Sequence, residues 1–467
     1  MHPISFHQRK LVGALLGVVL LGALPDRGWS QPLRLSLADC VRLAVASNLD
    51  LAAKRLKKDE GQLSPAVARR LIIPTLSAGV GRTLAGGRNL EYDLKLSKRG
   101  LDGTEYGISV AGGQALEPAS SSSNQISFTL SRPLLKNFGA HIFGFEVDLA
   151  KVDSEIALQL FRAELDEFVS QLADVYFDLH FAVRNYRIQQ QAYDRAVEQF
   201  ADTSRDIEKG VLPASAIFLV EENVVRFDVK KREAQRDIAV RQMTLSSLRN
   251  LPVAEEHPME PSETMKREAP RAGPLDRSIR RILEHNPNYR IRVSSLDRSR
   301  IERDYYRNQV LPLLNVLLDH TLNDGIAGRR DNETIVGLRL ELPLSRSADR
   351  AQSEKFRLRA LQVEASLAEL ATSLSYEAKK LELDLDQQAQ ILKLKEKAIG
   401  LSQKKLDAEM EKYRNGITTL AETVRFQQQL EESQIDETQA LVAFNRLILR
   451  RLKLEGSLAE SFEVTIR

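Results

Sequence analysis

From Phe356 onward the apolar residues step by threes and fours, through Ala360, Val363, Leu367, Leu370, Leu374, Ala378, Leu381, Leu385, Ala389, Leu392 and Ile399 to Tyr413. A helix carrying such a stripe for some sixty residues is a rod of roughly 90 Å at 1.5 Å per residue. No compact domain holds a rod of that length. A stripe sustained near period 3.5 implies instead coiled-coil packing against neighbouring rods. The pattern also occurs earlier, through Leu165, Phe168, Leu172, Val175, Leu179, Ala182, Tyr186, Tyr193, Ala196 and Phe200.

Two rods imply that the chain is written twice, and matched landmarks bear this out. "LADCVRLAVASNLDL" is echoed by "LDRSIRRILEHNPNY", with Asn48 facing Asn286, and "LIIPTLSAGVG" by "QVLPLLNVLLD", with Pro74 facing Pro312; both offsets are 238. "FTLSRPLL" (128–135) matches "LRLELPLS" (338–345), with Pro133 facing Pro343, and "EKGVLP" matches "YRNGIT", with Gly210 facing Gly416. The organisation expected is an export signal over 1–30, a first repeat over 31–250, a linker rich in proline and charge over 251–274, and a second repeat over 275–467. Pro74 to Pro133 is 59 residues and Pro312 to Pro343 is 31, so the first repeat carries 28 extra residues. Within them "YDLKLS" and "YGISVAG" alternate well enough to form an additional hairpin.

Each rod ends at a glycine placed where a helix end turns left-handed, Gly210 after "DIEK" and Gly416 after "EKYRN". A second helix follows at about 214–249 and 419–455, with Pro213 suited to a first helical position and Thr419 and Glu422 spaced as a capping box. Each repeat is then a long helical hairpin with its tip far from the strands.

The strands before the rods have a greasy and a wet face. Ile126, Phe128 and Leu130 oppose Gln125, Ser127, Thr129 and Ser131, while Val336, Leu338, Leu340 and Leu342 oppose Gly337, Arg339 and Glu341. Segments of about ten residues with this alternation suit a transmembrane barrel, apolar toward lipid and polar toward a lumen; the strands alone equally suit a soluble sheet with one face on a core. Four strands per chain cannot close a barrel, because closure begins at about eight. Several copies pooling strands into one barrel and helices into one tube would resolve this. Pro133 and Pro343 would then mark where the chain leaves the bilayer and turns into a helix.

The first residues supply a basic "HQRK", an apolar run over 11–24 and small residues around Trp29, which predicts an export signal cut after Ser30. No later stretch approaches the roughly twenty apolar residues of a helical membrane span. The 67 Lys and Arg against 64 acids leave no polybasic surface to argue for nucleic acid. The single cysteine, Cys40, excludes an internal disulfide and is expected as a buried apolar side chain rather than a lipidation site. The seven histidines form no metal motif, and no phosphate loop, dinucleotide loop or nucleophile elbow occurs, so neither a cofactor, a metal nor an enzymatic activity is expected.

With "SFTLSRPLLKNFG", "GLRLELPLS", the "SLADCVRLAVASNLDL" opening, the duplication and the tips "KGVLPAS" and "YRNGITTLAET" in this order, the chain resembles the TolC-like outer-membrane efflux proteins, or outer membrane factors. The resemblance implies a mainly α protein in the outer membrane: long hairpins forming a periplasmic α-barrel, and four transmembrane strands per protomer in a shared twelve-stranded barrel of a homotrimer. It implies the exit duct of a tripartite efflux or type I secretion system, partnered by a periplasmic adaptor (membrane fusion protein), an inner-membrane pump and outer-membrane lipid. The adaptor-docking tips would be Lys209, Gly210, Val211 and Leu212, and Asn415, Gly416, Ile417 and Thr418. Tyr413 and Glu422 would sit at the periplasmic aperture, although Tyr413 also suits a coil seam and Glu422 a capping box. Ala216, Thr418 and Arg425 stand where the family's latch and doubled acidic ring have an acid, an arginine and a second acid. The rival reading is a periplasmic coiled-coil adaptor or scaffold with a small soluble β-domain.

Overall fold

The computed structural model describes residues 33–83, 89–115, 122–250, 259–262, 264–268, 274–324 and 330–464. The expected export signal lies outside them. The first repeat runs β1 (Leu33–Leu35), α1 (Leu37–Ser47), α2 (Leu49–Ala68), β2 (Thr75–Thr83), β3 (Asn89–Arg99), β4 (Glu105–Ala115), β5 (Ser122–Pro133), a short α3 (Ala140–Phe143), α4 (Phe145–Glu208) and α5 (Ala216–Leu248). After β6 (Met259–Pro261) the second repeat runs α6 (Leu275–His285), α7 (Pro287–Gln309), β7 (Leu313–Asp324), β8 (Arg330–Glu341), α8 (Ser347–Arg414), α9 (Leu420–Leu454) and α10 (Leu458–Ser461).

The rods α4 and α8 are 64 and 68 residues long, about 100 Å each. Every stripe residue of α8 from Phe356 to Tyr413 is buried or half-buried, as are those named on α4. The principal core lies at mid-height, where Leu172, Tyr176 and Leu179 of α4 meet Val41 of α1, Leu381 of α8 and Phe444 of α9. Cys40 belongs to it at 1% exposure, and burial pushes its thiol up to about 11.

The duplication is physical as well as textual. Asn48 ends α1 and caps α2: its Oδ1 accepts from the Leu51 N–H (2.8 Å) and its Nδ2 donates to the Leu248 carbonyl at the end of α5 (2.9 Å). Asn286 caps α7 likewise, accepting from the Tyr289 N–H (3.1 Å) and donating to the Leu454 carbonyl at the end of α9 (3.0 Å). In each repeat one side chain joins the helix leading into the sheet to the helix returning from the tip. Pro74 and Pro312 likewise each stand immediately before a strand.

Three expectations are extended or corrected. The sheet has six strands in one protomer, in the order β2-β3-β4-β5-β7-β8. The four strands expected from the two repeats, β2, β5, β7 and β8, are present, and the extra residues form the additional hairpin β3–β4 between β2 and β5. The linker is more than a tether, since β6 within it pairs in parallel with β1, tying the chain's start to its middle. Pro213 is not the first residue of a helix: α5 begins at Ala216, and the Pro213 carbonyl accepts from the Ala216 N–H (2.9 Å) in the preceding turn.

Candidate functional site

The register assigns each strand residue to one of two faces. One row is Leu76, Leu96, Ile108, Phe128, His320 and Thr334, and another is Ala78, Leu94, Val110, Ile126, Leu322 and Asn332. The alternate rows hold Ser77, Lys95, Ser109, Ser127, Thr321 and Glu333, and below them Thr75, Ser97, Gly107, Thr129, Asp319 and Ile335. Opposed residues of an antiparallel pair share a face, so β2 to β5 are apolar on one side and polar on the other in these rows; on β8 the apolar side holds Asn332 and Thr334 here, and Val336, Leu338 and Leu340 further along, beside Leu318, Val316 and Leu314 of β7. Among the described residues no helix packs over the apolar face of the sheet's middle: Leu94, Leu96 and Ile108 are each 42% exposed. Where polar groups intrude there, His320 Nδ1 and Thr334 Oγ1 satisfy each other at 2.8 Å.

The chain is open on two sides. β2 and β8 each have one strand neighbour. In the helical part α4 packs on α2, α5, α7 and α9, and α8 packs on α7 and α9, which leaves α2 and α5 at one margin and α8 at the other. Exposed apolar residues line these margins at coiled-coil spacing, Leu49, Leu56 and Leu63 on α2, Phe218 and Val225 on α5, and Tyr376, Leu383, Leu394 and Leu401 on α8, while α4 between them exposes Leu160 and Val197. Among the described residues α7 and α9, enclosed within the slab, have no large exposed apolar side chain. One margin is built from the first repeat and the other from the second, a heterologous pair of surfaces that closes into a ring when the rotation permits.

At the far end both hairpins turn by the same device. Gly210 (φ +73) donates to the Ile207 carbonyl (2.9 Å) and the Val211 N–H to the Asp206 carbonyl (2.8 Å); Gly416 (φ +70) donates to Tyr413 (2.9 Å) and Ile417 to Lys412 (2.9 Å). These are the paired bonds of a Schellman end, which needs a residue free to adopt positive φ. Lys209, Gly210, Val211, Asn415, Gly416 and Ile417 are exposed, with Leu212 and Thr418 half-buried. Thr418 Oγ1 donates to Glu409 Oε1 (2.6 Å), which holds that carboxyl below its usual range.

Beside the tips a cavity of about 680 Å³ lies between the two hairpins, lined by Thr203, Asp206, Leu212, Tyr413, Thr418 and Gln427 among others. Tyr413 is half-buried in it; burial, then the charges of Asp206 and Asp202, raise its phenol above the usual value, opposed by a hydrogen bond with Thr203. The acids near this tyrosine therefore come from the end of α4, before the first tip, and not from the position of Ala216 after it. Glu422 closes only half of the expected capping box. Its N–H meets Thr419 Oγ1 (3.4 Å), but its carboxylate pairs with Arg425 (2.8 Å) instead of returning to the cap. A complete box stands at Ser36 and Asp39 ahead of α1.

No protein-family model matches the sequence, and no curated protein matches it. Solved structures do. The outer-membrane channel OprN is 14% identical, with 90% of each chain covered and a TM-score of 0.67. CusC, whose structures concern folding and transmembrane channel formation, is 13% identical over 94% of this chain and 95% of its own, at 0.64. The open state of the Neisseria gonorrhoeae MtrE outer-membrane channel is 14% identical over 90% and 89%, at 0.63. The chain has the TolC-like outer-membrane-channel fold.

Pro133 and Pro343 occupy the two strand-to-helix transitions of this TolC-like fold differently. Pro343 lies two residues past β8, and α8 starts at Ser347. Pro133 is the last residue of β5, and the chain then needs a turn and α3 before α4 begins. That longer crossing is held by α7: Asn308 Oδ1 accepts from the Asn137 N–H (2.7 Å), and Gln309 Nε2 donates to Asn137 Oδ1 (2.8 Å). Sequence reasoning missed these two residues and the exposed Phe218 beside the first tip; a phenylalanine just after a predicted turn was the available signal for the latter.

Proposed function

We propose that three copies of this chain join margin to margin in the outer membrane and form the exit duct of a tripartite efflux or type I secretion system. The single observation that carries this reading is a protomer open at both margins whose sheet is apolar on one face and polar on the other. Lipid receives the apolar face and water the polar one. The chain acts as a conduit rather than an enzyme.

The exposed tips, Lys209 to Leu212 and Asn415 to Thr418, dock a periplasmic adaptor linked to an inner-membrane pump. Tyr413 and Glu422 lie at the periplasmic entrance, where opening is a rotation of packed hairpins rather than a chemical step. Arg425 neutralises Glu422 locally, so the entrance is less acidic than a doubled acidic ring would be. Membrane fractionation separates this reading from the periplasmic scaffold. The duct stays with outer membranes through carbonate washing and requires detergent; release by carbonate would support the scaffold.

A further inference from the structure

We propose that the inserted hairpin is part of the barrel wall, so that three copies close eighteen strands, not twelve, around a correspondingly wider lumen. The inference rests on the channel reading and adds the dimension of its exit. Its ground is continuity. β2 pairs with β3 from Thr75–Ser97 to Thr83–Asn89, β3 with β4 from Asn89–Ala115 to Arg99–Glu105, and β4 with β5 from Glu105–Ser131 to Gln114–Ser122. β2 and β5, the strands that a repeat without insertion would pair, have no ladder with each other. Taking the hairpin out of the wall would leave one edge of each unpaired, which a bilayer penalises strongly.

The inserted strands also carry the face pattern of the rest. Tyr92, Leu94 and Leu96, with Tyr106, Ile108 and Val110, lie on the apolar side; Asp93, Lys95 and Ser97, with Gly107, Ser109 and Ala111, lie on the polar one. A hairpin folded into the lumen as a plug would not need a lipid-compatible face. Its turn is built into the base of the wall. Asp102 accepts from the Thr104 N–H (3.1 Å) and hydroxyl (2.7 Å), and Gly103 (φ +85) lies so close to the Asn137 carbonyl and Pro133 that a Cβ would meet them at 2.8 and 3.0 Å. Two added strands preserve alternation, so β8 of one copy still meets β2 of the next antiparallel.

Barrel diameter grows roughly linearly with strand number, so eighteen strands give a lumen about half again as wide as twelve, in the range that leaves an aqueous channel. On its lumen side β4 offers only Gly107, Ser109 and Ala111 at mid-wall, which adds width without filling it. The exit is then no bottleneck, and the narrow point of the duct is the helical entrance, which suits bulky hydrated cargo.

Electron cryo-microscopy of the full-length particle in lipid nanodiscs tests this by counting strands, with eighteen expected. An independent arm places single cysteines at Ser109→Cys and Val110→Cys in that particle, the native Cys40 being buried. A water-soluble maleimide should label the first to completion and the second at least about tenfold more slowly. Twelve strands with residues 89–115 outside the wall, or equal labelling at both positions, overturns the proposal while leaving the duct intact. A particle with no membrane barrel overturns the duct as well.

Discussion

Asn48 and Asn286 show how much one side chain can settle in this chain. Each caps a helix and ties it to the last carbonyls of another, and each is buried. Replacing either by alanine removes a cap, worth about 1 kcal/mol, and strands a carbonyl, adding a cost of similar order. Asn286→Ala should therefore lower stability by about 2 kcal/mol, read as a fall in the denaturation midpoint of the detergent-extracted particle. Asp166 is a different case. Burial, partly offset by the Ala459 N–H that it accepts (3.1 Å), raises its carboxyl from 3.8 to about 6. An acid with a raised folded-state value contributes stability below about pH 4 that is lost as pH rises through 6. Asp166→Asn should thus gain on the wild type, by up to about 3 kcal/mol, as pH rises from 4 to 7 and no further above that. Midpoints of the two proteins across this range check it, and a constant difference would contradict the assignment.

At the scale of elements, the tips are the most legible part of the molecule because a left-handed helix end has few sequence solutions. A Cβ at Gly416 would meet nothing within 4 Å, so Gly416→Val acts through backbone strain of about 1–2 kcal/mol confined to the turn. The variant should remain assembled yet lose adaptor association in co-purification, and unchanged association would remove the tip assignment. The strands were legible for a similar reason: period-two alternation over ten residues survives whatever surrounds it, and the hairpin β3–β4 showed it as clearly as β5 and β8. Register was not legible, since alternation fixes which face a residue takes but not which residue opposes it. β1 and β6 were hidden because three residues carry no periodicity and their pairing crosses more than two hundred positions. The surroundings of Tyr413 were missed because Asp202 and Asp206 reach it through the packing of one rod on another, which sequence spacing past the tip does not encode.

At the scale of the whole molecule, the protomer is a slab whose margins are apolar in the helices and unpaired in the sheet, with the two repeats supplying opposite sides. In the proposed duct, copies of the same chain complete it, and a water-filled passage is what the completed ring encloses. Planar-bilayer conductance of the purified particle tests that claim most directly, measured for the wild type and for a Tyr413→Phe, Glu422→Gln variant that loosens the entrance. The account predicts discrete conductance steps that are larger in the variant. Protein that inserts into the bilayer and raises no conductance in either form would contradict it.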